Sequence, residues 1–365
     1  MQKKTKLRLA IASAVLVAAA ATGTALAANN SSDDPASASP RAEAGERGEQ
    51  AEESGPQTPE AIAVDGPNVF PHSLDYDAET NTFFAGSLAQ GKVFAFGPDG
   101  QVRTHIDDPL LVSAQSILVD GERDRLLVSN VDYGTADRSD TESPFGIAGV
   151  GSYDLETGEQ HWCVDLTGVA LDGRQHLIAD VTVAPDGTAY AVDQLTPTVF
   201  RIEPDGSAEV FLRDDLLQGA LDIPDFLNDV GMSAVEWVEG DQLVITMADG
   251  SLVRVPVEAP EEARAVELSA PLSVPTAGTR LLSDGSMVAV SSGLLSGEPA
   301  SIQRVVPDED WTTATVNVTD TVEDPVTSDV TAGPEGTTYA LSGGLAALLA
   351  GQPNDGFALT PVNVD

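Results

Sequence analysis

A strand–turn–strand unit repeats along the chain, and no other feature constrains the fold as tightly. The units read LDYDAETNTFFAGSLAQGKVFAFGPDG from Leu74, ILVDGERDRLLVSNVDYG from Ile117 and VTVAPDGTAYAVDQLTPTVFRIEPDG from Val181. Then come VEWVEGDQLVITMADGSLVRVPV from Val235, TRLLSDGSMVAVSSG from Thr279 and VTAGPEGTTYALSGG from Val330. Equivalent points (Phe84, Leu127, Tyr190, Val244, Val288, Tyr339) recur 43 to 63 residues apart, which suits a four-stranded blade with variable loops. Short alternating runs cut by PDG, SDG, PEG and ADG turns are a hairpin signature. Long helical periodicity is missing between them, which argues against βαβ units. The expectation is an all-β, six-bladed β-propeller over residues 60–365, one domain built by radial repetition. The ring should close where AIAVDG (61–66) meets FALTPVNV (357–364). The longest insertion spans 131–180, and its GTADRSDTESPFGIAG stretch predicts a polar loop over one mouth.

Ahead of the repeats, Lys3, Lys4, Lys6 and Arg8 precede an apolar run from Leu9 to Ala21 and a small-x-small end at Ala25-Leu26-Ala27. This pattern predicts a signal peptide over 1–27, cleaved after Ala27, and a secreted protein with no membrane anchor. Residues 28–59 lack aromatic and β-branched side chains apart from Thr58 and predict a disordered acidic linker. The whole chain has 58 acidic and 18 basic side chains, a net charge of −40, and 51 of those acids against 12 of the bases fall in 60–365. The acidity therefore belongs to the folded part. Such a surface repels phosphate backbones and anionic lipid, so nucleic-acid and anionic-membrane partners are excluded. One cysteine, Cys163, excludes an internal disulfide framework. Its place in HWCVDL predicts a buried, inert thiol.

Three segments carry a family resemblance. They are FPHSLDYD (70–77) followed by FFAGS, IADVTVAPDGTAYAVD (178–193) followed by VFRIEPDG, and GMSAVEWVEGDQLVI (231–245) followed by GSLVRVPV. With them the chain resembles the SMP-30/gluconolactonase/LRE-like six-bladed propellers. The resemblance implies a central tunnel. In the family's lactone hydrolases that tunnel holds one divalent cation on a Glu, two Asn and an Asp from the inner strands. Matched position by position, these ligands fall on His72, Ala179, Ser233 and Ala277, with Gly278 as the other register for the last. None of these residues is a carboxylate or amide, so no metal is expected. Calcium enters only if the site is rearranged.

The candidate catalytic residues are His72, Asp180 and Ser233. A histidine at a tunnel entrance could serve as an acid or base. Asp180 directly follows Ala179, the second of these positions, and is expected beside His176. Gln115, Ser116, His176, Ser328 and Asp329 are the candidate ligand-binding residues of a polar tunnel. The expected function is binding of a small polar molecule or an extracellular protein by a monomer. The alternative is a divergent sugar-lactone or ester hydrolase.

Overall fold

Neighbouring residues on a strand point to opposite faces, and Phe83 and Phe84 show the consequence. Phe83 packs with Leu74, Tyr339 and Phe357, whereas Phe84 packs with Ile117, Leu126 and Tyr153. The strand that carries them is covered on both faces, so its sequence is a continuous apolar run rather than an alternating one. The computed structural model describes residues 60–139, 144–223 and 227–365. The expected signal peptide and linker lie outside the described residues.

Six blades form one ring. Their inner strands are Pro71–Asp77, Ser113–Asp120, Ile178–Val183, Met232–Val238, Thr276–Leu281 and Asp329–Ala332. Blades one to four each have four strands in sequence order, and the fifth gains Glu267–Leu268 as a short parallel outer strand. The sixth is closed by the first strand, Ile62–Asp65, which pairs antiparallel with Gly356–Val362 in the register Ile62↔Leu359 to Asp65↔Gly356. The predicted closing segments are thus the ones that pair. All six equivalent points of the repeat fall on the second strand of a blade.

An apolar cluster fills each blade-to-blade interface, including the one between the sixth and first blades. The hairpins turn as the sequence demands. In Pro185-Asp186-Gly187 and Pro204-Asp205-Gly206 the glycines take φ of 93° and 87°, and each Asp carboxylate accepts from the N–H two residues on, at 2.9 Å. That left-handed conformation is open to glycine without steric penalty.

Cys163 departs from expectation, because it is exposed. It lies on the outermost strand of the second blade, Gln160–Asp165, where only one face is covered. Trp162 and Val164 turn inward, so the residue between them points to solvent.

Candidate functional site

The inner strands start at one end of the ring, and these starts build the site. His72, Gln115, Ala179, Ser233, Ala277 and Ser328, one from each blade or its leading turn, line a single cavity of about 130 Å³. The four residues on which the resemblance places a cage therefore share one wall. Above them the wall is apolar. Leu88, Tyr133, Leu221, Val230, Leu294 and the leucines of the short helix Leu345–Ala350 line the same cavity. Tyr133 and Thr135 belong to the long insertion, so that loop does reach the mouth.

His72 is tied into a chain of side chains. Tyr133 donates its hydroxyl to Gln115 Oε1 at 3.0 Å, and Gln115 Nε2 meets His72 Nδ1 at 3.2 Å. With the Gln115 amide in this orientation, Nδ1 accepts and Nε2 carries the proton. Nε2 has no partner among the described residues, so its N–H is available to the cavity. Burial pushes the His72 pKa down to about 4, which keeps the ring neutral at neutral pH. In an NMR pH titration, the His72 imidazole is expected to titrate at about 4. A midpoint near its ordinary value would contradict this placement.

Beneath this ring, a chamber of about 40 Å³ is lined by Asp180, Glu236, Arg280 and Asp329. Arg280 Nη2 donates to Asp75 Oδ1 at 2.8 Å. The carboxylates also join the blades. Asp75 accepts from Val119 N at 2.9 Å, Asp180 from Val235 N at 3.0 Å and Asp329 from Leu74 N at 3.2 Å. Ser116 adds a bond of 2.7 Å to Asp180. Four acids thus surround one cation. Burial raises Asp180, Asp329 (to about 7) and Glu236 (to about 8), with Arg280 opposing the rise. Burial alone would lower Arg280, but Asp75, Glu236, Asp329 and Asp180 outweigh it and raise its pKa.

Of the sequence candidates, His72, Gln115, Ser233 and Ser328 face the upper cavity, and Asp180 and Asp329 face the chamber below. Ser116 is buried against Asp180. His176 does not join them, so the expectation that it flanks Asp180 in the tunnel is corrected. Its Nδ1 lies 2.5 Å from Asp193 and its Nε2 3.0 Å from Asp172, and neither chamber is lined by it. Burial lowers its pKa, but the two carboxylates outweigh burial and leave it raised. A histidine with both nitrogens bonded to acids pins a loop and is not free for a ligand. Ser233 donates to the carbonyl of Thr246 at 3.2 Å, and no bond joins it to His72 or Asp180 among the described residues.

Sequence reasoning misses the leucine wall and, of the ion cluster, Asp75, Glu236 and Arg280; Asp180 and Asp329 are among its candidates. The run GGLAALLA (343–350) was the available signal for the first. The second had Arg280, an arginine on an inner strand close after Gly278.

In sequence, no family model and no curated protein matches the chain. Solved structures do match in shape. The major allergen Mala s 1 of Malassezia sympodialis gives a TM-score of 0.68 at 16% identity, over 84% of this chain and 97% of that one. A luciferin-regenerating enzyme gives 0.53 at 12% identity, over 83% and 95%. Virginiamycin B lyase from Staphylococcus aureus gives 0.52 at 10% identity, over 77% and 80%. These likenesses establish architecture: the described chain has the fold of a six-bladed β-propeller.

Proposed function

We propose that this protein is a secreted binding propeller whose tunnel takes up a small amphipathic molecule without a metal ion. One observation carries the reading: His72, Gln115, Ala179, Ser233, Ala277 and Ser328, from all six blades, line one cavity whose lining holds no carboxylate, together with a wall of leucines. An apolar wall with a few convergent polar groups is the usual make-up of a small-molecule pocket. The apolar share moves the expected ligand from polar to amphipathic. The donor set does not suit calcium. It comprises one imidazole, one hydroxyl and two methyl groups at the positions the resemblance marks, whereas calcium takes six to eight oxygens. The solved neighbours include an allergen and two proteins with different enzyme names, so they do not single out an activity. The hydrolase alternative is not favoured, since Ser233 has no bonded base among the described residues.

The test uses a neutral fluorescent probe, N-phenyl-1-naphthylamine, on the mature protein. Saturable one-to-one binding is expected. Ala179→Trp, which fills the cavity from the third blade, should weaken it by about a hundredfold or more while far-UV circular dichroism stays unchanged. Probe binding that survives the tryptophan would place the site elsewhere.

A further inference from the structure

Five of the cavity hydroxyls share an orientation that limits what their ligand can be. Ser233 donates to Thr246 O at 3.2 Å, Thr276 to Ser273 O at 2.9 Å and Ser292 to Pro325 O at 2.9 Å. Thr327 donates to Asp324 O at 2.8 Å, and Ser328 to His72 O at 2.8 Å. Every one of these acceptors is a main-chain carbonyl, which can only accept. The five hydroxyl protons are therefore committed to the protein. What the hydroxyls have left to offer a ligand is lone pairs. Ser233 is the most open of the five, while Thr327 is fully buried.

Donors are scarce on the same floor. His72 Nε2–H is one, and Gln194, whose side chain has no partner among the described residues, offers both a donor and an acceptor; the Thr135 hydroxyl, from the long insertion, is a further donor. Just below lie Asp180, Glu236 and Asp329 with Arg280 as the only cation lining that chamber. An acceptor-only end group, such as an ester, would face lone pairs with few donors. A carboxylate would also approach a chamber richer in acids than in bases. An alcohol fits both kinds of group, because it can donate to Ser233 and accept from His72.

Resting on the tunnel-binding reading, we infer that the ligand is a neutral hydroxyl-bearing amphiphile, selected over its ester and its carboxylate by hydroxyls already oriented as acceptors. The discrimination follows from unpaired buried polar groups, which cost more than a missing favourable contact.

The experiment is competition against N-phenyl-1-naphthylamine by 1-octanol, methyl octanoate and sodium octanoate. The ester is the decisive competitor, since it is more apolar than the alcohol and a plain greasy pocket would bind it at least as well. Octanol is expected to displace the probe at a concentration about tenfold lower than the ester, and lower still than octanoate. Ser233→Ala should weaken octanol about five- to tenfold more than it weakens the ester or the probe. Displacement by the ester at or below the octanol concentration overturns the inference while the binding reading stands. Equal weakening of all three ligands by Ser233→Ala overturns the role given to that hydroxyl. Failure of the probe itself to bind removes the tunnel-binding reading, and the inference with it.

Discussion

Arg280→Met is expected to lower unfolding stability by about 3–5 kcal/mol near pH 8, because it leaves buried carboxylates without their cation. Asp75, which is bonded to Arg280, is 5% exposed, and Asp329 is 7% exposed. Urea unfolding at two pH values checks the claim. The sign of the pH effect follows from linkage. Glu236 and Asp329 have folded-state pKa values raised by burial to about 8 and about 7. Their contribution is fully present below the ordinary carboxylate pKa and is lost as pH rises through those values. Where one bound proton separates the states, the slope approaches ~1.4 kcal/mol per pH unit. The raised His176 adds a loss in the same direction at the upper end of the range. Below about pH 6.5 the lowered His72 works the other way, so the parent protein should weaken most clearly between about pH 6.5 and about pH 8, a trend that Glu236→Gln together with Asp329→Asn would flatten. In Arg280→Met the gap to the parent should narrow toward about pH 5, where protons replace the missing cation. An equal deficit at both pH values would mean that packing, not charge, explains Arg280.

Gly278→Val is expected to cost about 3 kcal/mol by overpacking and to loosen the junction of the first, fifth and sixth blades. A Cβ at Gly278 would lie 2.2 Å from Asp329 Oδ1, 2.9 Å from Asp329 Cα and 3.0 Å from the Ser328 carbonyl. The carboxylate could swing away, but the backbone of the sixth blade could not. The displaced oxygen belongs to the side chain that accepts from Leu74 N, the bond linking the last blade to the first. Gly121→Ala is the control, since a Cβ there meets nothing within 4 Å. Thermal melting should separate the two clearly. Similar small shifts for both would show that the inner strands tolerate crowding at the axis.

The architecture was legible because the repeat is a property of strands and turns, which the local sequence encodes directly. The closing strand was legible too, since Ile62–Asp65 and Gly356–Val362 are the apolar runs left over at the two ends. The site was legible only in part. His72, Gln115, Ser233 and Ser328 begin inner strands, so the ring geometry places them together. His176 misled because it lies in the turn leading to an inner strand yet is held away from the axis by Asp172 and Asp193. Cys163 misled because alternation tells which residues share a face, but not which face is covered. The leucine wall comes from four different blades and their connections, and no local pattern announces that those segments meet.

Probe titration of the protein in chelator and in millimolar calcium tests the central claim most directly. The account predicts one saturable site of equal affinity in both buffers. Binding that appears only with calcium, or is abolished by the chelator, would contradict it.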